Sequence, residues 1–165
     1  MKKVTILLFV ICCIASLAGC KSTSAAPKPS ASAADAFVFT YNDISIAMNA
    51  DAAPVIDALG EPKSCTEQAS CAFEGMEKTY SYGSFSITTY PNDGKDCISG
   101  LWFTDDQVAT EEGVRIGDPQ SKVEQIYKPE ELCGCNAYIL TRGETMLSIF
   151  VTDGVVSSIQ YNAVL

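Results

Sequence analysis

Cysteine carries the most reactive side chain in this 165-residue sequence, and Cys20 is placed for one specific modification. Lys2 and Lys3 open the chain, an apolar run follows, and Leu-Ala-Gly-Cys closes that run at residues 17–20. A basic start, an apolar segment and small residues before a cysteine are typical of a lipobox, whose thiol accepts a diacylglycerol. We therefore predict that residues 1–19 are a lipoprotein signal peptide and that Cys20 is lipidated.

The lipid on Cys20 sets the predicted location. Stable anchoring generally takes two acyl chains, and a diacylglyceryl cysteine carries two. The sequence thus predicts a protein held at the cell membrane by its lipid, on the extracytoplasmic face, with the membrane as its first partner. An uncleaved N-terminal anchor and a plain secretory signal remain alternatives. The apolar run is nevertheless shorter than the roughly 20 residues that a bilayer-spanning helix needs.

The five remaining cysteines of the exported part are disulfide candidates: Cys65, Cys71, Cys97, Cys133 and Cys135. Thiols outside the cytoplasm tend to pair, and an odd number leaves one over. Spacing alone leaves the pairing open. Cys65 and Cys71 could close a local loop, and Cys133 or Cys135 could close the matching later loop or reach Cys97. A redox or soft-metal dithiol at Cys133-Gly-Cys135 is the alternative interpretation.

Composition excludes several classes of function. The chain has 20 acidic and 11 basic residues, a net charge of −9, and Lys2 and Lys3 both fall in the predicted signal peptide. Such an acidic chain is a poor partner for nucleic acid or for anionic lipid. It contains no histidine, so catalysis or metal binding that depends on imidazole is excluded. We predict no enzyme activity, no catalytic residue, no metal and no cofactor.

The segment after the lipidated cysteine is a linker. Residues 20–36 are rich in Ser, Ala and Pro and contain little that could form a core. Such a segment is expected to be a disordered tether. The rest of the chain, residues 37–165, has the length and the apolar content of one compact unit.

That unit shows apparent internal similarity. Aligning the chain with itself places Val55 on Val123, Cys65 on Cys133, and the Asp-Gly pair at 93–94 on the pair at 153–154. Each half has one short helical pattern followed by period-two apolar alternation and Asp-Gly turns. The sequence therefore predicts an α+β fold of two tandem copies, residues 37–104 and 105–165. Each copy would be a short helix followed by an antiparallel β-meander.

Aromatic residues in the predicted strands are candidates for a binding face. They are Tyr80, Tyr82, Phe85, Tyr90 and Trp102. Aromatic side chains make good interface anchors, but they also fill cores between a sheet and its helices. Alternation places Tyr80 and Tyr82 on one face, and the surroundings of that face decide between the two interpretations.

Three segments carry a resemblance to known proteins. Residues 70–80 (SCAFEGMEKTY), 89–91 (TYP) and 112–118 (EGVRIGD) resemble a group of uncharacterised lipoproteins from Firmicutes. The helix entry at residues 116–129 is similar to that of the β-lactamase inhibitory protein superfamily, which includes small outer-membrane assembly lipoproteins. This resemblance implies an α+β fold; in the inhibitors, the concave face of the sheet and its protruding loops contact an enzyme. No inhibitory loop matches residue by residue, so enzyme inhibition is not implied.

The leading hypothesis is therefore a lipid-anchored, non-catalytic binding module for a protein, a peptide or a wall component. The alternative is a structural or assembly lipoprotein of the cell envelope. A thiol redox protein built on Cys133 and Cys135 is the third hypothesis.

Overall fold

The computed structural model describes residues 36–128 and 136–165. The described chain forms nine strands and two helices, and each helix separates two runs of consecutive strands. In chain order they are β1 (Val38–Tyr41), β2 (Ile44–Ala47), α1 (Ala52–Leu59), β3 (Ser64–Ala69), β4 (Met76–Ser81), β5 (Phe85–Asn92), β6 (Lys95–Phe103), α2 (Gln120–Tyr127), β7 (Ala137–Arg142), β8 (Thr145–Thr152) and β9 (Val155–Ala163).

Seven of these strands form one antiparallel sheet, in the order β3-β4-β5-β6-β9-β8-β7. Tight turns make the hairpins. Asp93 and Gly94 join β5 to β6 with φ values of 48° and 76°, and Asp153 and Gly154 join β8 to β9 with 53° and 77°. Two successive residues at positive φ are what a two-residue hairpin turn requires, which explains the Asp-Gly pairs. The predicted turns at both pairs are confirmed.

The two faces of the sheet differ sharply in burial. Directly paired residues of neighbouring strands lie on the same face. One register row crosses the central strands as Ile87, Leu101, Tyr161 and Leu147, and each of these side chains is at most 1% exposed. This face, called the packed face below, carries the hydrophobic core.

A second layer covers the packed face. The β1–β2 hairpin inserts Phe39 and Ile46, the segment between β6 and α2 inserts Val114, and α2 inserts Val123. Phe39 alone contacts four aromatic rings, with centroids between 5.1 and 6.5 Å away. The fold is thus a two-layer arrangement in which hairpin, connecting segment and helices share one side of the sheet.

The helices are short, at eight residues each, and depend on this packing. The Asp51 carboxylate accepts a hydrogen bond from the Ala53 amide at 3.1 Å and caps α1, and Gly60 ends that helix at a φ of 78°. Before α2, Asp118 instead accepts from the Arg115 amide and from Lys122. Neither helix has the length or apolar character of a membrane-spanning segment, and this holds for the described residues only.

The predicted fold class is wrong. The described residues are mostly strand, and a single sheet runs through both proposed copies, joined by the pairing of β6 with β9. The first half supplies four strands of that sheet plus a separate hairpin, whereas the second half supplies three. Half-buried strands share a period of two whatever their origin, so the matched apolar positions reflect that period and not two tandem copies of one unit.

Candidate binding surface

The face opposite the core is a polar surface that crosses the whole sheet. Two register rows define it, and each row has one residue from each of the seven strands of the sheet. The first row is Ser64, Ser81, Ser86, Trp102, Gln160, Ser148 and Ile139. The second is Thr66, Thr79, Thr88, Gly100, Asn162, Met146 and Thr141. We call these two rows the open face, since each of the layer elements described above packs on the other side.

Neither row of the open face contains a charged side chain. Residues with hydroxyl groups occupy most of its positions, although two of them, Ser86 and Ser148, are buried at 4% and 3% exposure. The amides of Gln160 and Asn162 lie near its centre, and Trp102 is the largest side chain. Trp102 lies between Leu101 and Phe103, which point into the core, and it is half-buried. Alternation along β6 therefore places the indole on the surface because its two neighbours are required inside.

Gly100 leaves a step beside Trp102 on the same strand and the same face. A Cβ at this position would lie 3.0 Å from the Thr88 hydroxyl oxygen, 3.3 Å from the Tyr161 carbonyl oxygen and 3.4 Å from the Asn162 amide oxygen. These distances are shorter than ordinary van der Waals contact, so a side chain fits there only if its neighbours move. The absence of a side chain leaves one edge of the indole free of a same-strand neighbour.

A shallow hollow of about 350 Å³ lies over strands β8 and β9 and is lined by Phe150, Ser158 and Gln160, whereas Trp102 is outside its lining. Gln160 is the register partner of Trp102 and so links the tryptophan to the hollow. The Gln160 amide donates to the Ser158 hydroxyl at 3.3 Å, which leaves its carbonyl oxygen available. We call Trp102, Gly100, Gln160 and Phe150 the patch.

The five aromatic candidates divide between the faces. Tyr80 shares a register row with Ile87, on the packed side near α1, and Tyr82 stacks on Phe85 at 5.4 Å. Phe85 is 1% exposed and belongs to the core. Burial raises the pKa of both tyrosine hydroxyls. The structure does not bring these three together with Trp102.

Tyr90 is on the same side as Trp102 but is largely enclosed. It is 7% exposed, its ring lies 4.9 Å from that of Phe73, and its hydroxyl donates to the Asn49 side-chain oxygen at 3.1 Å. Burial raises the pKa of its hydroxyl. Of the five aromatic candidates, only Trp102 therefore combines the open face with partial exposure.

A second hollow, of about 470 Å³, lies between α1 and strands β4 to β6. Four of its five charged groups already pair with one another, and the fifth, Asp57, is exposed on α1. Lys78 contacts Asp96 at 2.7 Å and Lys95 contacts Asp51 at 3.1 Å. The hydrogen bond to Asp96 raises the pKa of Lys78, and the bond from Lys95 lowers the pKa of Asp51. Because these groups satisfy each other, the hollow offers a ligand little beyond rearrangement of existing contacts.

The described cysteines are free thiols. Cys65 and Cys71 are exposed and Cys97 is buried, whereas Cys133 and Cys135 lie outside the described residues, as does Cys20. Strand β3 is extended, so it separates Cys65 from Ala69 by about 13 Å, and Cys71 lies beyond Ala69 in the turn toward β4. A disulfide requires Cα atoms within about 7 Å. The local pairing of Cys65 with Cys71 is therefore not formed. The described residues contain no group of three potential metal ligands.

Sequence reasoning missed three members of the patch: Gly100, Phe150 and Gln160. A signal for the first exists, because a glycine inside a strand often marks a close approach of another chain or ligand. The other two are recognisable only through the pairing of β9 with both β6 and β8, which is a long-range property.

Comparison with known proteins adds little to this geometry. No protein-family model and no curated protein matches the sequence. Among solved structures, the chain is similar to an extracellular protein containing a SCP domain from Bacillus anthracis, at 12% identity and a TM-score of 0.42. That match covers 70% of this chain and 44% of the other. At this level no residue role is carried over, and the resemblance to Firmicutes lipoproteins stays a prediction.

Proposed function

We propose that this protein is a lipid-anchored, extracytoplasmic binding module that uses the open face and has no catalytic role. Cys20 carries the anchor, and residues 20–36 form the tether. Fully extended, a tether of this length reaches about 55 Å. The domain therefore meets its ligand within that distance of the membrane.

The observation that supports this proposal most strongly is the contrast between the two rows of the open face and the core behind them. A half-buried tryptophan lies at the centre of the open face beside a backbone step, and its register partner Gln160 lines a hollow. Concave sites that combine aromatic area with a few convergent polar groups are the usual form of a binding site. No comparable set of unpaired groups is present in the hollow beside α1.

Anchoring is tested by comparing Cys20→Ser with Cys71→Ser, a matched single-cysteine change at an exposed position. We expect the wild type and Cys71→Ser to incorporate radiolabelled palmitate and to sediment with membranes. Cys20→Ser is expected to do neither, because serine offers no thiol for diacylglycerol. Palmitate incorporation by Cys20→Ser would rule out this anchor.

Binding is tested by photo-crosslinking in native membranes with a benzophenone amino acid at Thr88 of the open face, because this group inserts into C–H bonds of proteins and sugars alike. Trp102→Ala is expected to lose the crosslinked species that the wild type forms, because truncation of a central aromatic anchor removes most of its contact area. Gln125→Ala, at an exposed position on α2, is the matched control and is expected to retain them. Equal crosslinking by all three proteins would contradict the use of the open face.

A further inference from the structure

We infer that the open face binds a neutral oligosaccharide, with Trp102 as the stacking platform and the Gln160 and Asn162 amides as hydrogen-bond partners. This inference rests on the proposed function and specifies its ligand.

Charge comes first. The chain is strongly acidic overall, yet the two rows of the open face contain no acidic or basic side chain across seven strands. Anionic ligands are recognised by Arg and Lys, and cationic ligands by carboxylates or aromatic cages. The two rows, with one tryptophan and no charge, lack both devices, and the Glu77 carboxylate in the next row of the same face already accepts a hydrogen bond from Ser70 at 2.6 Å. The ligand of the open face is therefore neutral.

The polar groups argue against a protein partner. The cores of protein–protein interfaces are enriched in aromatic residues, Met and Arg and are depleted in Ser. The first row has the opposite composition, with serine on four of the seven strands. Ser86 and Ser148 are only 4% and 3% exposed, so the accessible hydroxyls are those of Ser64 and Ser81 and of the threonines in the second row. A hydroxyl both donates and accepts, and an amide offers both functions side by side. Sugar hydroxyl groups have the same dual character, so this face matches a carbohydrate better than a peptide.

Shape supports the same ligand. Trp102 presents a flat apolar surface with amides at its edge, and such an amphipathic arrangement suits a sugar ring, which is apolar on one face and polar around its rim. The hollow of about 350 Å³ that Gln160 lines is at the lower end of the range for small-molecule sites. Phe150, beyond Gln160, offers a second ring for the next sugar unit along the same direction.

The test uses the full-length lipoprotein in a detergent without a sugar headgroup, with chitotetraose and maltotetraose as probes. Trp102 is the only tryptophan of the chain, so its fluorescence reports directly on this face. We expect a saturable change in emission with at least one of the two sugars. The difference between the two probes then reports whether N-acetyl groups contribute. A cationic and an anionic peptide serve as negative probes.

Variants identify the residues that carry the binding, measured by calorimetry because Trp102→Ala removes the fluorophore. Trp102→Ala is expected to weaken sugar binding at least about tenfold, and Trp102→Phe less. Gln160→Ala is expected to weaken it about threefold to tenfold. Gln160→Ala retains Trp102, so it keeps the test valid if Trp102→Ala fails to fold. Gln125→Ala is expected to leave the affinity unchanged.

The outcomes separate this inference from the proposed function. If neither sugar binds while Trp102-dependent crosslinking in membranes persists, the ligand is not a neutral oligosaccharide and the binding module stands. If both are lost, both proposals fail. Sugar binding that is insensitive to Trp102→Ala and to Gln160→Ala would also overturn the inference, because it would place the site elsewhere.

Discussion

The packed and open faces of the sheet are built from the same strands in the same registers, but their chemistry is opposite. On β8, Ile149 is fully buried in the core, and Phe150, the next residue, is half-buried on the open side. On β6, Leu101 and Trp102 show the same alternation. The comparison indicates that the packed face determines stability. The large side chains of the open face contribute little to that core, and we propose that they serve ligand binding.

The strongest test of this contrast substitutes neighbouring residues on β8. Ile149→Ala is expected to lower the free energy of unfolding by about 2–5 kcal/mol, because it removes buried methylene groups and leaves a cavity. Phe150→Ala is expected to cost less than half as much, although it deletes the larger side chain. Urea denaturation of the two variants measures both values. Equal losses would mean that the open face is packed as tightly as the core.

Gly100 offers a test in which the open face itself is crowded. Gly100→Ala is expected to cost about 1–3 kcal/mol, since the new Cβ meets the Thr88 hydroxyl and a backbone carbonyl at 3.0 and 3.3 Å. Thr88→Ala in the same chain should recover part of that loss, because only the backbone contact then remains. A double-mutant cycle by urea denaturation measures the coupling. Strict additivity would show that the contact with Thr88 is unimportant.

Tyr161 offers a test in which a substitution in the packed face is expected to stabilise the protein. Its hydroxyl is buried and has no hydrogen-bond partner among the described residues, and burial raises its pKa well above the ordinary value. Tyr161→Phe is therefore expected to raise the free energy of unfolding by about 1 kcal/mol, since an unsatisfied polar atom leaves the core. A loss of stability on thermal unfolding would reveal a partner for that hydroxyl.

The smallest expected effect concerns pH. Burial raises the pKa of Asp118, but the hydrogen bonds from Lys122 and from the Arg115 amide outweigh it and hold the pKa below its ordinary 3.8. A depressed pKa contributes stability that is present above pH 3.8 and is lost as the pH falls through the lower value. We expect the urea concentration at the unfolding midpoint to decrease when the pH is lowered from 5 to 3, and to decrease less in Asp118→Asn.

The open face behaves differently in the same pH range, because its two rows contain no titratable carboxylate or amine. Ligand binding by the folded protein is therefore expected to be independent of pH between about 5 and 8. A titration curve within that interval would mean that a charged group outside the two rows contacts the ligand.

Local features of the fold were predictable from the sequence, and the assembly of the sheet was not. The Asn42-Asp43 and Asp-Gly turns, the Asp51 cap and the Gly60 helix end follow from backbone preferences that a few neighbouring residues determine. Strand β3, by contrast, is exposed at every residue and lacks alternation, so no pattern indicated it. The pairing of β6 with β9 joins residues about sixty positions apart, and the prediction of two separate copies failed there.

The candidate site shows the same division. Alternation along β6 places Trp102 opposite Leu101 and Phe103, and this could be read from the sequence. Which face the hairpin and helices would cover could not, because it depends on contacts between distant elements. Tyr80 and Trp102 were therefore grouped as candidates for one face, although they lie on opposite sides of the sheet.

Site-specific photo-crosslinking in native membranes tests the central claim most directly. A benzophenone amino acid is placed at Met146 or Thr88 on the open face, and at Gln125 or Asp57 on the two helices of the other layer. We predict adducts from the two open-face positions and none from the helix positions. Adducts from Gln125 or Asp57, with none from Met146 or Thr88, would contradict the use of the open face.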